Sequence, residues 1–121
     1  MRRRTRIACC LVVVLATAGC LTAGGVSNDA ATERALDAEE AYITDRFEDA
    51  PCVESWSPTS FVGIEEEATV VNRTADGVHV DVTHPVSYAT DDEEADVATD
   101  ATYLVTEDAV RRLGGTNVSP C

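Results

Sequence analysis

The chain has 121 residues, with 9 arginines, no lysine and 22 acidic residues, for a formal charge of −13. That length holds one small domain and rules out a doubly wound sheet with a second domain or a barrel enzyme of ordinary size. The surplus of acid argues against nucleic acid as a partner, because neutralising phosphates takes clustered Lys or Arg that the body of the chain lacks.

Taken from the first residue, Arg2, Arg3, Arg4 and Arg6 form a positive region, Ile7 to Ala16 an apolar stretch, and Thr17-Ala18-Gly19 a small-residue site. That order is an export signal. Cys20 follows at once. The Ala18-Gly19-Cys20 ending resembles the lipobox of prokaryotic lipoproteins, in which the cysteine is lipidated and becomes the new N-terminus. Thr17 departs from the pattern, since a larger aliphatic residue is usual there. The resemblance implies that residues 1–19 are a signal peptide and that residues 20–27 are a lipidated cysteine plus spacer. Residues 28–121 are then one domain, lipid-anchored to the outer face of the cell membrane. Two other readings stay open. The run Ile7 to Ala23 is 17 residues, the lower limit of a membrane span, and would serve as an uncleaved signal anchor. Cleavage by an ordinary peptidase would instead release the protein. Thr5 and Arg6 follow Arg3-Arg4 where a twin-arginine signal has apolar residues, so the export route is open too.

Of five cysteines, Cys9 and Cys10 leave with the signal and Cys20 takes the lipid. Cys52 and Cys121 remain, and an even pair in an exported domain is most simply a disulfide. Closing that loop is worth about 4 kcal/mol in the chain-entropy picture. A structural metal normally needs four clustered ligands, which a lone pair does not supply.

Without residues 1–19, five arginines face 22 acids, a charge of −17. The acids are spread among alternating Val, Thr and Tyr, with few large aliphatics. This composition resembles proteins of salt-loving archaea. In molar salt the Debye length is about 3 Å, so dense carboxylates repel little and keep the surface hydrated. As a whole the chain resembles the small secreted lipoproteins of haloarchaea, a group without an established activity.

Asn28 or Asp29 reads as a helix cap, followed by an Ala- and Glu-rich run to Asp49 that Ala50-Pro51 stops. Leu36, Ile43 and Phe47 share one side and Ala35, Ala38 and Tyr42 an adjoining one, with Glu39 interrupting the combined face. Cys52 to Ser60 reads as a loop anchored by Trp56, and Phe61 to Ile64 as the opening of a strand. Ala68 to Asn72 is a β-branched strand, Thr74-Ala75-Asp76-Gly77 a turn, and Val78, Val80 and Val82 alternate with His79, Asp81 and Thr83. The expectation is a β-hairpin. Pro85 then implies a sheet edge or a bulge. Asp91 to Asp96 is an acidic connection, and Val97 to Val105 a further strand. Thr106-Glu107-Asp108 opens a short C-terminal helix to Leu113, closed by Gly114-Gly115. The fold class is α+β: one N-terminal helix packed on a three- or four-stranded antiparallel sheet, plus that short helix. Its element order resembles a cystatin-like roll, with no cystatin motif to carry a function.

For chemistry, the chain has no Gly-x-Ser-x-Gly elbow, no phosphate loop and no dinucleotide fingerprint. A bonded Cys52 and Cys121 leave no thiolate, so no catalytic residue and no cofactor is assigned. His79 and Asp81 share a strand face and offer two metal ligands without a third, while His84 falls on the opposite face. Asp91 to Asp96 has the oxygens for calcium but neither the spacing nor the glycine of a calcium loop. Asn72-Arg73-Thr74 is a glycosylation sequon beside a turn, and Asn117-Val118-Ser119 a second one followed by Pro120. Trp56, Phe61, Tyr88 and Tyr103 read as core rather than as a groove. The functional expectation is a membrane-tethered, non-catalytic binding or accessory domain whose partner is an envelope protein or solute. The alternatives are a signal-anchored subunit of a membrane assembly and an envelope metal-dependent hydrolase built on His79 and Asp81.

Overall fold

A computed structural model describes residues 25–58 and 63–121. Its helix α1 is Asn28–Glu48, and its strands are β1 (Val53–Ser57), β2 (Glu67–Thr74), β3 (Gly77–Thr90), β4 (Glu94–Val105) and β5 (Val110–Gly115). All pairings are antiparallel. β1 and β2 share one edge of β3, with β4 and β5 following in order on the other side.

The α1 sequence has no internal Gly or Pro and few β-branched residues, so propensity favours helix throughout. Its cap is Ser27, one residue earlier than Asn28, with Oγ accepting the Ala30 N–H at 3.1 Å. The buried stripe is Ala31, Ala35, Glu39, Ile43 and Phe47, a strict four-residue step that puts the interrupting glutamate inside. Leu36 is only half-buried. Val26, which falls in the sequence-defined spacer, is buried in the core, so the packed unit begins before Asn28.

The β2–β3 hairpin is present, joined by Ala75-Asp76, with Gly77 at φ 141°. A Cβ there would lie 2.7 Å from the Val105 carbonyl oxygen, so glycine serves both backbone and packing. Between Val70 and Asn72 the register shifts, leaving Val71 as an exposed bulge residue.

Four expectations need correction. The sheet has five strands, not three or four. Residues 53–57, expected as loop, form β1, because the second half of β3 offers an otherwise unpaired edge. Of the expected Phe61–Ile64 strand, Phe61 and Val62 lie outside the described residues. Gly63 is in a turn at φ 94°, and Ile64 makes an isolated bridge. The C-terminal helix is absent among the described residues. Thr106 closes a tight turn, its N–H donating to the Ala109 carbonyl at 2.8 Å, and residues 110–115 return along β4 as β5. A two-turn helix pays nucleation for few hydrogen bonds, whereas the β4 edge offers a full ladder.

Of the two expectations for Pro85, the bulge is absent and a local sheet edge is present. β3 and β4 stay in one register from Val78 to Ala89, with Pro85 opposite Ala98. The accommodation is on the other flank, where β2 pairs with residues 77–83 and β1 with residues 87–90. The edge strand is therefore broken opposite His84, Pro85 and Val86, where a residue without an N–H costs no ladder bond.

Two apolar clusters fill the space between α1 and the sheet. One gathers Val26, Ala31, Ala35, Val78, Val80, Val82, Ala101, Tyr103 and Val105. The other gathers Ile43, Phe47, Val86 and Val118, with Trp56 and Tyr88 against Phe47 at ring distances of 5.7 and 5.0 Å. Tyr103 is thus core, while Trp56 and Tyr88 are half-buried and pack against the cluster through Phe47; Phe61 is outside the described residues.

Candidate functional site: a polar seam through the core

Between the two clusters runs a line of buried polar side chains. Glu39 lies between Ala35 and Ile43 on α1, His84 between Val82 and Val86 on β3, and Thr99 faces His84 from β4. They are the buried polar residues among those described, at 0%, 0% and 2% exposure.

At one end everything is paired. The Glu39 carboxylate accepts from Thr99 Oγ1 (2.9 Å), from Tyr103 Oη (2.6 Å) and from two nitrogens of Arg112 (3.0 and 3.2 Å). Arg112 also donates to the Thr116 carbonyl at 2.7 Å and stands 4.0 Å over the Tyr42 ring, whose hydroxyl accepts the Val118 N–H. Burial opposes the charge on Arg112, but the hydrogen bonds and charge of Glu39 outweigh it and hold the guanidinium above its ordinary range. Burial, and then the Glu39 hydrogen bond, pushes the Tyr103 phenol well above the usual tyrosine range. This ties α1, β4, β5 and the segment after β5 together. Sequence reasoning expected Arg112 at a helix end and missed this role; Glu39 on an otherwise apolar face was the signal that a buried cation must exist.

The other end is incomplete. His84 Nδ1 lies 2.9 Å from the Pro85 carbonyl oxygen, which can only accept, so Nδ1 carries a hydrogen. Nε2 is buried and has no hydrogen-bond partner among the described residues. Glu66, whose side chain is 43% exposed, brings Oε2 to 3.7 Å from it, beyond hydrogen-bond range. An unpaired buried polar atom of this kind costs about 1–3 kcal/mol.

Cys20 lies outside the described residues. Cys52 and Cys121 stand at disulfide distance, with Cα atoms 5.9 Å apart, and fasten the chain after β5 beside the start of β1. Asn72 is exposed on β2 beside the hairpin turn, its Oδ1 accepting from the Arg73 N–H. His79 and Asp81 share the outer sheet face. Asp81 accepts from Thr102 and His79 Nε2 sits 3.5 Å from Thr74 Oγ1, but no third ligand joins them. Among the described residues no group of three or more His, Cys, Asp or Glu could hold an ion. Of the run Asp91 to Asp96, residues 94–96 belong to β4 and only 91–93 make the turn. Glu54 is held above the usual carboxylate range by a hydrogen bond to Asp91 and by its charge.

The outer face carries hydroxyl–carboxylate pairs across β3 and β4: Ser87 with Asp96 (2.6 Å), Thr83 with Asp100 (2.8 Å) and Thr102 with Asp81 (2.8 Å). Two further arginines are tied to backbone carbonyls elsewhere. Arg34 donates to the Thr106 carbonyl, and Arg73 to the Val26 carbonyl and Asn28. No helix among the described residues is long and apolar enough to cross a membrane. No protein-family model matches the chain, and no curated protein or solved structure is similar to it.

Proposed function

We propose that the chain is an exported lipoprotein, tethered through a lipid on Cys20 to the outer face of the cell membrane, with a non-catalytic binding or accessory domain. The observation that carries the reading is the Cys52–Cys121 pair. Such pairs persist in oxidising compartments outside the cytoplasm, and their pairing leaves Cys20 as the one cysteine after the export signal without another use. The distribution of acid supports the brine reading: Glu39 is buried, and every other Asp and Glu is exposed. A surface so charged is hydrated by carboxylates and stays compact where salt screens them.

The test is the intact mass of the protein purified from native membranes. A mass of residues 20–121 plus lipid, less two hydrogens, is expected. A mass that retains residues 1–19 contradicts the tether and points to a signal-anchored subunit. In parallel, Cys20→Ser should release the domain or leave it unprocessed, and normal cleavage with unchanged membrane retention would contradict lipidation.

A further inference from the structure

We propose that His84 and Glu66 form a proton-operated latch that fastens the entry of β2 to β3. Because the Pro85 carbonyl fixes the hydrogen on Nδ1, a neutral His84 presents only a lone pair at Nε2. The nearest group is the Glu66 carboxylate at 3.7 Å, also an acceptor. Two acceptors thus face each other at the rim of the core. A proton on Nε2 turns that opposition into a charge-assisted hydrogen bond and keeps the bond from Nδ1 to Pro85. Only Glu66, half in solvent, has to move, by less than about 1 Å to reach hydrogen-bond distance.

Burial opposes a charge on His84, and the nearby charges set against that are acidic. From the edge, Glu66 and then Glu67, opposite Thr83, contribute negative charge. From β4 the facing residue is Thr99, which is uncharged and gives its hydroxyl to Glu39. From α1 the charged group is Glu39, already matched by Arg112. Of the arginines on α1, Arg34 donates to the Thr106 carbonyl and Arg46 lies over the Tyr42 ring.

The position gives the latch its effect. The edge strand is broken opposite His84, and Glu66 is the residue immediately before β2. Closing the pair pins the first residues of β2; opening it frees the approach to that strand. The sign follows from linkage. The folded chain offers the protonated imidazole a partner that the unfolded chain lacks. The bond to Glu66 exists only while Nε2 carries a proton, so its contribution is present on the acidic side and is lost when the ring discharges.

Nitrogen-15 NMR of the full chain in detergent, in molar salt, reads both ring nitrogens of His84 against pH. The expected result is an Nδ1–H tautomer at alkaline pH and a doubly protonated ring on acidification, with slower amide exchange at residues 66–68 than the intrinsic pH effect explains. Glu66→Gln should weaken proton binding by His84 and abolish the added protection. His84→Asn, which keeps a donor for the Pro85 carbonyl, should also remove the pH dependence of protection. An Nε2–H tautomer at high pH overturns the proposal, as does a titration that Glu66→Gln leaves unmoved. Ring signals that respond to added zinc or to EDTA but not to pH would overturn it in favour of a metal ion.

Discussion

The two ends of the polar seam are made of the same kinds of groups and behave differently. Glu39 is surrounded by Thr99, Tyr103 and Arg112 and leaves neither oxygen without a donor. His84 is equally buried, yet one ring nitrogen has no partner among the described residues. A fully paired buried charge acts as a mechanical tie, strong against the loss of any single member. A half-paired one leaves part of its free energy to a further particle, here a proton. The first end belongs to the architecture and the second to regulation.

The largest way to break the comparison is to break the tie. Glu39→Ala leaves Arg112 and Tyr103 buried without their acceptor, and should cost about 3–5 kcal/mol in urea unfolding. Glu39→Leu combined with Arg112→Met removes both charges and should lose much less. If the double variant is as unstable as the single one, the network does more than neutralise itself. Next is the Cys52–Cys121 pair, which holds the segment containing Thr116 and Val118, both bonded to the Arg112–Tyr42 group. Cys52→Ala with Cys121→Ala should lose up to about 4 kcal/mol. The measurement is thermal unfolding in high salt, and an unmoved transition would show that the pair does not constrain the chain.

A smaller effect appears in alkali. Since Tyr103 ionises later in the folded than in the unfolded chain, its contribution is intact below the ordinary phenol range and falls as pH rises beyond it. The stability-versus-pH curve should therefore drop above about pH 10. Tyr103→Phe should make that limb shallower. The smallest effect is on the outer face, where Asp81→Asn removes one exposed partner of Thr102 and should change stability by less than about 0.5 kcal/mol.

The legible parts of the sequence were those whose periodicity is local. α1 shows in its composition and its proline stop, and the β2–β3 hairpin and β4 in the alternation of Val78 to Val82 and Thr99 to Val105. Alternation alone put His84 on the face opposite His79 and Asp81, and cysteine counting picked out the Cys52–Cys121 pair. The illegible parts depend on distant partners. β1 is five residues long and gains its identity only from β3, thirty or more residues later. β5 has arginines and glycines that suit a helix end equally well, and what decides is the acceptor waiting at Glu39 on α1. The unpaired nitrogen of His84 is invisible in sequence, because it depends on where the break in the edge strand sets Glu66.

Unfolding free energies of the wild type, Glu39→Gln and Glu66→Gln, each at pH 5.5 and pH 8, test the contrast most directly. Glu39→Gln should cost the same at both pH values, because Arg112 stays charged throughout, whereas Glu66→Gln should cost stability at the lower pH alone. A Glu66→Gln loss that is equal at both, or absent from both, would contradict the account.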